Sequence, residues 1–250
     1  MWRCSVVIVF FLLSLSTSAT AQFVSVAHNA RSGAMGGCLL PNLEERHIDI
    51  GYRQGFMLAG MADKQLSVVW PTGETGVALA EYIHHGNIDY HEQQVSAGYA
   101  LRPWSWLLVG VNAGYLNLGT SDPGYGQWHW LKATAFAQAA VGRRTDIALM
   151  AGTRPWDQRH SYSIHLQLLH RPVEGLLTVL EGELEDCARM RFGMEYSYDG
   201  TVVFRAGLST TPLVGTFGLG FHYQRFTIDI AAAVHQTLGI TPHTTLSICF

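Results

Sequence analysis

Along most of the chain, apolar residues alternate with small or polar ones in segments too short to be long helices. Over residues 190–196, Met190, Phe192, Met194 and Tyr196 oppose Arg189, Arg191, Gly193 and Glu195. After Gln224-Arg225, Phe226, Ile228, Ile230, Ala232 and Val234 oppose Thr227, Asp229 and Ala231. Tyr162, Ile164, Leu166 and Leu168 oppose Ser163, His165 and Gln167, while Phe217, Leu219, Phe221 and Tyr223 oppose Gly218, Gly220 and His222. A period of two belongs to a β-strand, whose successive side chains point to opposite faces. Further two-faced segments cover residues 94–101, 106–115, 147–151 and 202–208. The chain also closes on one: Leu246, Ile248 and Phe250 alternate with Thr245, Ser247 and Cys249. With the weaker segments counted, the pattern predicts about 14 strands from about His47 onward.

The connections are expected to alternate in length. Arg102-Pro103, 142–144, 171–175, Asp199-Gly200 and Gln224-Arg225 read as tight turns. Residues 118–127, 152–160, 181–187, 210–216 and 235–244 read as longer links. Short turns on one rim and long loops on the other describe an outer-membrane barrel, with both termini on the short-turn, periplasmic side.

The faces sharpen that expectation. An Arg or Lys near the bilayer midplane costs ~2–4 kcal/mol on a lipid-facing surface. Arg189, Arg191, Arg205, Glu195 and Asp229 are therefore expected in a hydrated lumen, where they can pair; a dry sandwich core would not accommodate them. Composition agrees, with 14% charged residues, 48% hydrophobic residues and 26 Gly. The formal net charge of −3 gives no reason to expect a nucleic-acid partner.

Arg3, an apolar run from Ser5 to about Leu15 and Ala19-Thr20-Ala21 read as a signal peptide over residues 1–21. Residues 22–46 do not alternate and are the candidate plug of the lumen; the alternative is a periplasmic tail. The expected fold is thus all-β: a transmembrane antiparallel β-barrel of about 14 strands over residues 47–250 with an N-terminal plug. The closing strand, with Phe250 last, resembles the ending that barrel insertion machinery reads in a bacterial outer membrane.

Ala30-Arg31-Ser32-Gly33-Ala34-Met35-Gly36-Gly37 resembles the amino-terminal signature of the PorV/PorQ proteins, outer-membrane barrels related in fold to the FadL fatty-acid transporters. Residues 99–112 are similar to that family's central hairpin, and residues 218–239 with the ending at Phe250 to its last strands. Where the family usually carries Asn-Pro-Ala, this chain has Pro41-Asn42-Leu43. The resemblance implies a non-enzymatic protein, either a binding or shuttle component for proteins exported by type IX secretion or a FadL-like channel for small hydrophobic molecules. It implies no catalytic residues and no cofactor.

Candidate ligand-binding residues are those of the lumen face: Arg189, Arg191, Glu195, Arg205, His222 and Asp229. They could attract an anionic ligand, or form a salt-bridge lattice that stiffens the barrel and anchors the plug, with Asp229 as an arginine's partner. The 12 His do not suggest a metal centre: His84-His85 read as a loop, and His165 takes the opposite strand face from His160 and His170. An outer-membrane lipid hydrolase is a third reading, but His160-Ser161 could cooperate only in a loop and has no third member. Trp104, Trp106, Trp128 and Trp130, with Tyr99, Tyr115 and Tyr125, read as interfacial girdles; a stacking platform for sugar or lipid is the alternative. Three cysteines follow the signal peptide, too widely spaced for a disulfide framework or a metal site; whether Cys38 and Cys249 pair stays open.

Overall fold

The alternating segments form 14 antiparallel strands that close into a barrel. In this computed structural model residues 29–39, 43, 45–58, 60–122, 124, 126–156, 159–185 and 187–250 are described. The expected signal peptide lies outside them, as do Tyr125 and residues 22–28, 40–42 and 44 of the expected plug. The strands are β1 (His47–Gln54), β2 (Ala62–Thr72), β3 (Gly76–Gly86), β4 (Tyr90–Trp104), β5 (Leu107–Thr120), β6 (Trp128–Ala140) and β7 (Thr145–Trp156). The second half holds β8 (Arg159–His170), β9 (Leu176–Leu184), β10 (Ala188–Tyr198), β11 (Val202–Ser209), β12 (Val214–Tyr223), β13 (Phe226–His235) and β14 (Gly239–Cys249).

Each strand pairs with its sequence neighbours, and β1 closes on β14 from His47↔Cys249 to Arg53↔His243. Closure leaves no unpaired edge, the condition for a sheet to survive in lipid. The even strand number puts both ends of the barrel on one rim, here the terminal rim.

The expected alternation of loop lengths is absent. Connections on the terminal rim cover residues 73–75, 105–106, 141–144, 171–175, 199–201 and 224–225. Those on the opposite rim cover 55–61, 87–89, 121–127, 157–158, 185–187, 210–213 and 236–238, and most are just as short. Residues 152–156 belong to β7, 181–184 to β9 and 239–244 to β14. Towards the opposite rim the strands carry polar or small residues on both faces, as at Thr241, Pro242 and His243, so the two-faced pattern fades before the pairing ends. His84-His85, expected in a loop, lie within β3 for the same reason.

Apolar side chains cover the outside: Phe192, Met194, Phe204, Leu219 and Ile230 are all about half exposed. The polar residues between them are buried, among them Asp49, Glu181, Arg191, Arg205 and Asp229. Such an inside-out distribution is stable where lipid, not water, meets the outer wall. The girdle expectation holds only in part: Tyr99 and Tyr115 are exposed on the outward face that they share with Val111. Trp70 packs on Phe250 with ring centroids 6.5 Å apart, and Arg46 sits 5.2 Å over the Trp70 ring. Trp128 and Trp130, however, share the face of Lys132 and Phe136 and so turn into the lumen, whereas Leu131, Ala133 and Ala135 alternate outward.

Residues 29–39 run along the inner wall of β8–β14. A single helical turn, Ala30–Ala34, is capped by the Asn29 side chain, which accepts from Ser32 N–H at 2.8 Å. Gly36 and Gly37 follow with φ of +73° and +79°, a left-handed backbone that favours glycine.

Candidate functional site in the barrel lumen

The lumen is built from whichever strand positions point inward, and its two halves differ. Along β8–β14 it is occupied by residues 29–39 and a lattice of ion pairs. Arg31 forks onto Glu195, with Nε to Oε2 at 2.7 Å and Nη2 to Oε1 at 2.8 Å. Arg205 shares that carboxylate, donating from Nε to Glu195 Oε2 at 2.7 Å and from Nη1 to Asp229 Oδ1 at 2.6 Å. Arg191 bonds Glu181 and Glu183, and Arg189 donates to Glu183 Oε2 at 3.0 Å and to the Thr211 carbonyl at 3.0 Å. His165 lies 3.1 Å from Glu181. Charge-assisted, forked pairs of this kind are the strong ones, and inside a wall they replace the water these groups give up.

The structure therefore joins Arg31, Glu195, Arg205 and Asp229 in one chain of contacts and Arg189 and Arg191 in a second, through Glu181 and Glu183. Those two glutamates were not expected at the site, because residues 181–187 read as a loop. Their signal was there to read: Leu180, Gly182 and Leu184 alternate with them as the outward face of β9. His222 stands apart, its Nδ1 2.8 Å from Thr227 Oγ1 on its own hairpin. His160 and Ser161, which could cooperate only in a loop, are consecutive residues of β8.

Residues 29–39 are tied to the same wall by backbone groups. Ala30 N–H donates to Thr245 Oγ1 at 2.8 Å, and Gly36 N–H to Thr216 Oγ1 at 2.9 Å. Leu39 N–H donates to Glu181 Oε2 at 2.9 Å, and the Leu39 carbonyl accepts from Gln167 Nε2 at 2.6 Å. Met35 and Cys38 pack on inward-facing Leu169, Leu177 and Val179. The wall is bare where the segment presses closest. A Cβ on Gly207 would stand 2.1 Å from Gly36 N, and one on Gly193 would stand 2.7 Å from Met35 Cβ. Cys38, Cys187 and Cys249 are all free thiols. Burial, with the Glu181 carboxylate adding to it, pushes the Cys38 thiol up to about 12.

Along β1–β7 the lumen holds open space. One cavity of about 370 Å³ lies towards the terminal rim, lined by Arg102, Trp106, Leu108, Gln138 and Arg171 among others. A second, of about 200 Å³, lies deeper, against Asp49, Glu81, Ser96, Lys132 and Leu79. They share Leu43, Phe136 and Met150 as a common wall. Nearer the opposite rim Asp63 bridges two strands, 2.5 Å from both Arg53 Nε and His85 Nδ1.

With this geometry in hand the chain can be set beside known structures. It is similar to monoaromatic hydrocarbon channels. CymD, described by that name, superposes with a TM-score of 0.68 at 10% identity, covering 89% of this chain and 97% of its own. The toluene transporter TodX of Pseudomonas putida superposes with a TM-score of 0.63 at 11% identity, covering 90% of this chain and 97% of its own. At such identity the likeness is one of fold. No family profile matches the chain, and no curated protein matches it in sequence. The PorV/PorQ resemblance accordingly rests on the quoted residues.

Proposed function

We propose that this protein is a non-enzymatic channel of the bacterial outer membrane, passing small molecules with an apolar body through a lumen partly filled by its own amino-terminal segment. The observation that carries this is the pair of neighbouring lumen cavities, which share Leu43, Phe136 and Met150 in their walls. Residues 22–46 act as the plug, fixed on the β8–β14 side by Arg31 and the backbone bonds from Ala30 to Leu39. Insertion through the closing strand and Phe250 belongs to the same reading. The fold shared with CymD and TodX supports a channel over a shuttle for exported proteins. So do the short connections of both rims, which offer little surface to a protein cargo.

The test is solute-driven swelling of liposomes carrying the purified barrel. Pentose-sized solutes should enter, and Phe136→Ala, which thins the shared wall, should raise the rate several-fold. No flux through the native protein, through Phe136→Ala or through a chain lacking residues 29–38 would overturn the channel.

A further inference from the structure

Six consecutive strands contribute one inward position each to a row across the deeper cavity: Asp49, Ser67, Glu81, Ser96, Gly114 and Lys132. Asp49 and Ser96 are each 5% exposed. Asp49 Oδ2 touches Ser67 Oγ at 3.5 Å and His47 Nε2 at 3.8 Å, but among the described residues its Oδ1 has no hydrogen-bond partner, and neither has Ser96 Oγ. Both side chains line the cavity, whose wall is mixed: Leu43, Val69, Leu79, Phe136 and Met150 give it an apolar side, and Gln65, Glu81, Gln94, Asn112 and Lys132 a polar one. Buried polar atoms are nearly always hydrogen-bonded, and leaving one unmade costs more than an average bond gains. The guanidiniums that could answer Asp49 are committed elsewhere: Arg53 to Asp63, and Arg31 and Arg205 to Glu195.

We propose that this cavity is a recognition site for a small primary amine on an apolar body. The ammonium would donate to Asp49 Oδ1 and to Ser67 Oγ, which lies beside that carboxylate on the next strand, and the body would lie against Phe136, Leu79 and Met150. A carboxylate acceptor, a hydroxyl and an apolar floor in one concave site are what an amphipathic cation needs. A carboxylate-bearing ligand would meet two carboxylates, Asp49 and Glu81, against the single ammonium of Lys132, so the balance of charge in the cavity disfavours it. The proposal names the solute class of the channel reading and rests on it only for how the amine reaches the site.

The test is calorimetric titration of the full barrel in detergent with benzylamine, benzyl alcohol, toluene and benzoate. Benzylamine should bind at least tenfold more tightly than toluene, and benzoate should not compete with it. Asp49→Asn should weaken benzylamine about tenfold or more while changing benzyl alcohol less than threefold. Ser67→Ala should weaken both several-fold. Each variant's folding is checked by its mobility on gels with and without heating. Should Asp49→Asn not fold, Ser67→Ala and competition by methylammonium on the native chain decide the matter. Toluene binding as well as benzylamine, or affinities unmoved by the substitutions, would overturn the site. So would no binding at all, which would leave these atoms solvated only. Benzylamine binding without liposome flux would remove the channel and leave the site; flux without binding would do the reverse.

Discussion

Glu195 carries two guanidiniums, one from the wall and one from the amino-terminal segment, so its charge bears on both. Glu195→Gln would take from Arg31 the carboxylate it forks onto, leaving only the more distant Asp229, and leave Arg205 with Asp229 alone. Breaking a buried pair on one side costs several kcal/mol, because the surviving charge stays desolvated. About 3 kcal/mol is expected, read as a lower temperature at which the barrel loses its compact gel mobility. A thiol supplies a second measurement. Cys187 is exposed and should react with maleimide at pH 8, whereas Cys38 is fully buried with its thiol held protonated and should not. In Glu195→Gln the Cys38 reaction should accelerate at least tenfold if Arg31 holds the segment in place. The face of Glu195, Arg205 and Asp229 could be read from the sequence, since period two assigns each residue a side. That Asp229 would pair with an arginine was legible too, but not which one, nor that Arg31 reaches Glu195: Arg31 lies in a segment without periodicity, and alternation does not say which inward residues meet across the lumen.

At the level of elements, the contact between the amino-terminal segment and the wall depends on missing side chains. Gly193 on β10 and Gly207 on β11 are register neighbours, and together they make a shallow floor for Met35 and Gly36. Gly207→Val puts branched carbon against backbone that cannot retreat, while the outward face of β11, with Phe204 and Leu208, is untouched. The barrel should still form and shift mobility on heating, but Cys38 should become reactive; an unreactive Cys38 in a folded Gly207→Val would show that the segment is held from elsewhere. Strand existence was legible from the sequence, as was the count of about 14, because the lipid-facing half of each strand is insistently apolar. Strand ends were not. Where Thr241, Pro242 and His243 continue β14, both faces are polar or small and the backbone pairing carries on unannounced. The same loss of contrast hid the lumen position of Trp128 and Trp130, which sit where β6 leaves its run of outward alanines.

For the molecule as a whole, the decisive property is which solvent meets which surface. A water-soluble barrel would tolerate a charge on its exposed face and suffer from one inside; a membrane barrel reverses the ranking. Ile230 stands midway along β13 on the outer face, between Leu219 and Thr244 of the neighbouring strands. Ile230→Arg should therefore destabilise the barrel by ~2–4 kcal/mol in a bilayer. Ser67, on the lumen side, is flanked in register by Asp49 and Glu81. Ser67→Arg would bring a guanidinium to the unpartnered Oδ1 of Asp49, so the lipid-embedded barrel should hold or gain stability. Denaturant titration in vesicles compares the two: a larger loss for Ile230→Arg marks a lipid-facing wall, and a larger loss for Ser67→Arg would make the barrel a soluble one. The lumen substitution should also abolish benzylamine binding, since the new guanidinium occupies the carboxylate assigned to the ammonium. A variant that is stable in lipid yet deaf to the amine would tie the charge pattern of the lumen to recognition rather than to holding the barrel together.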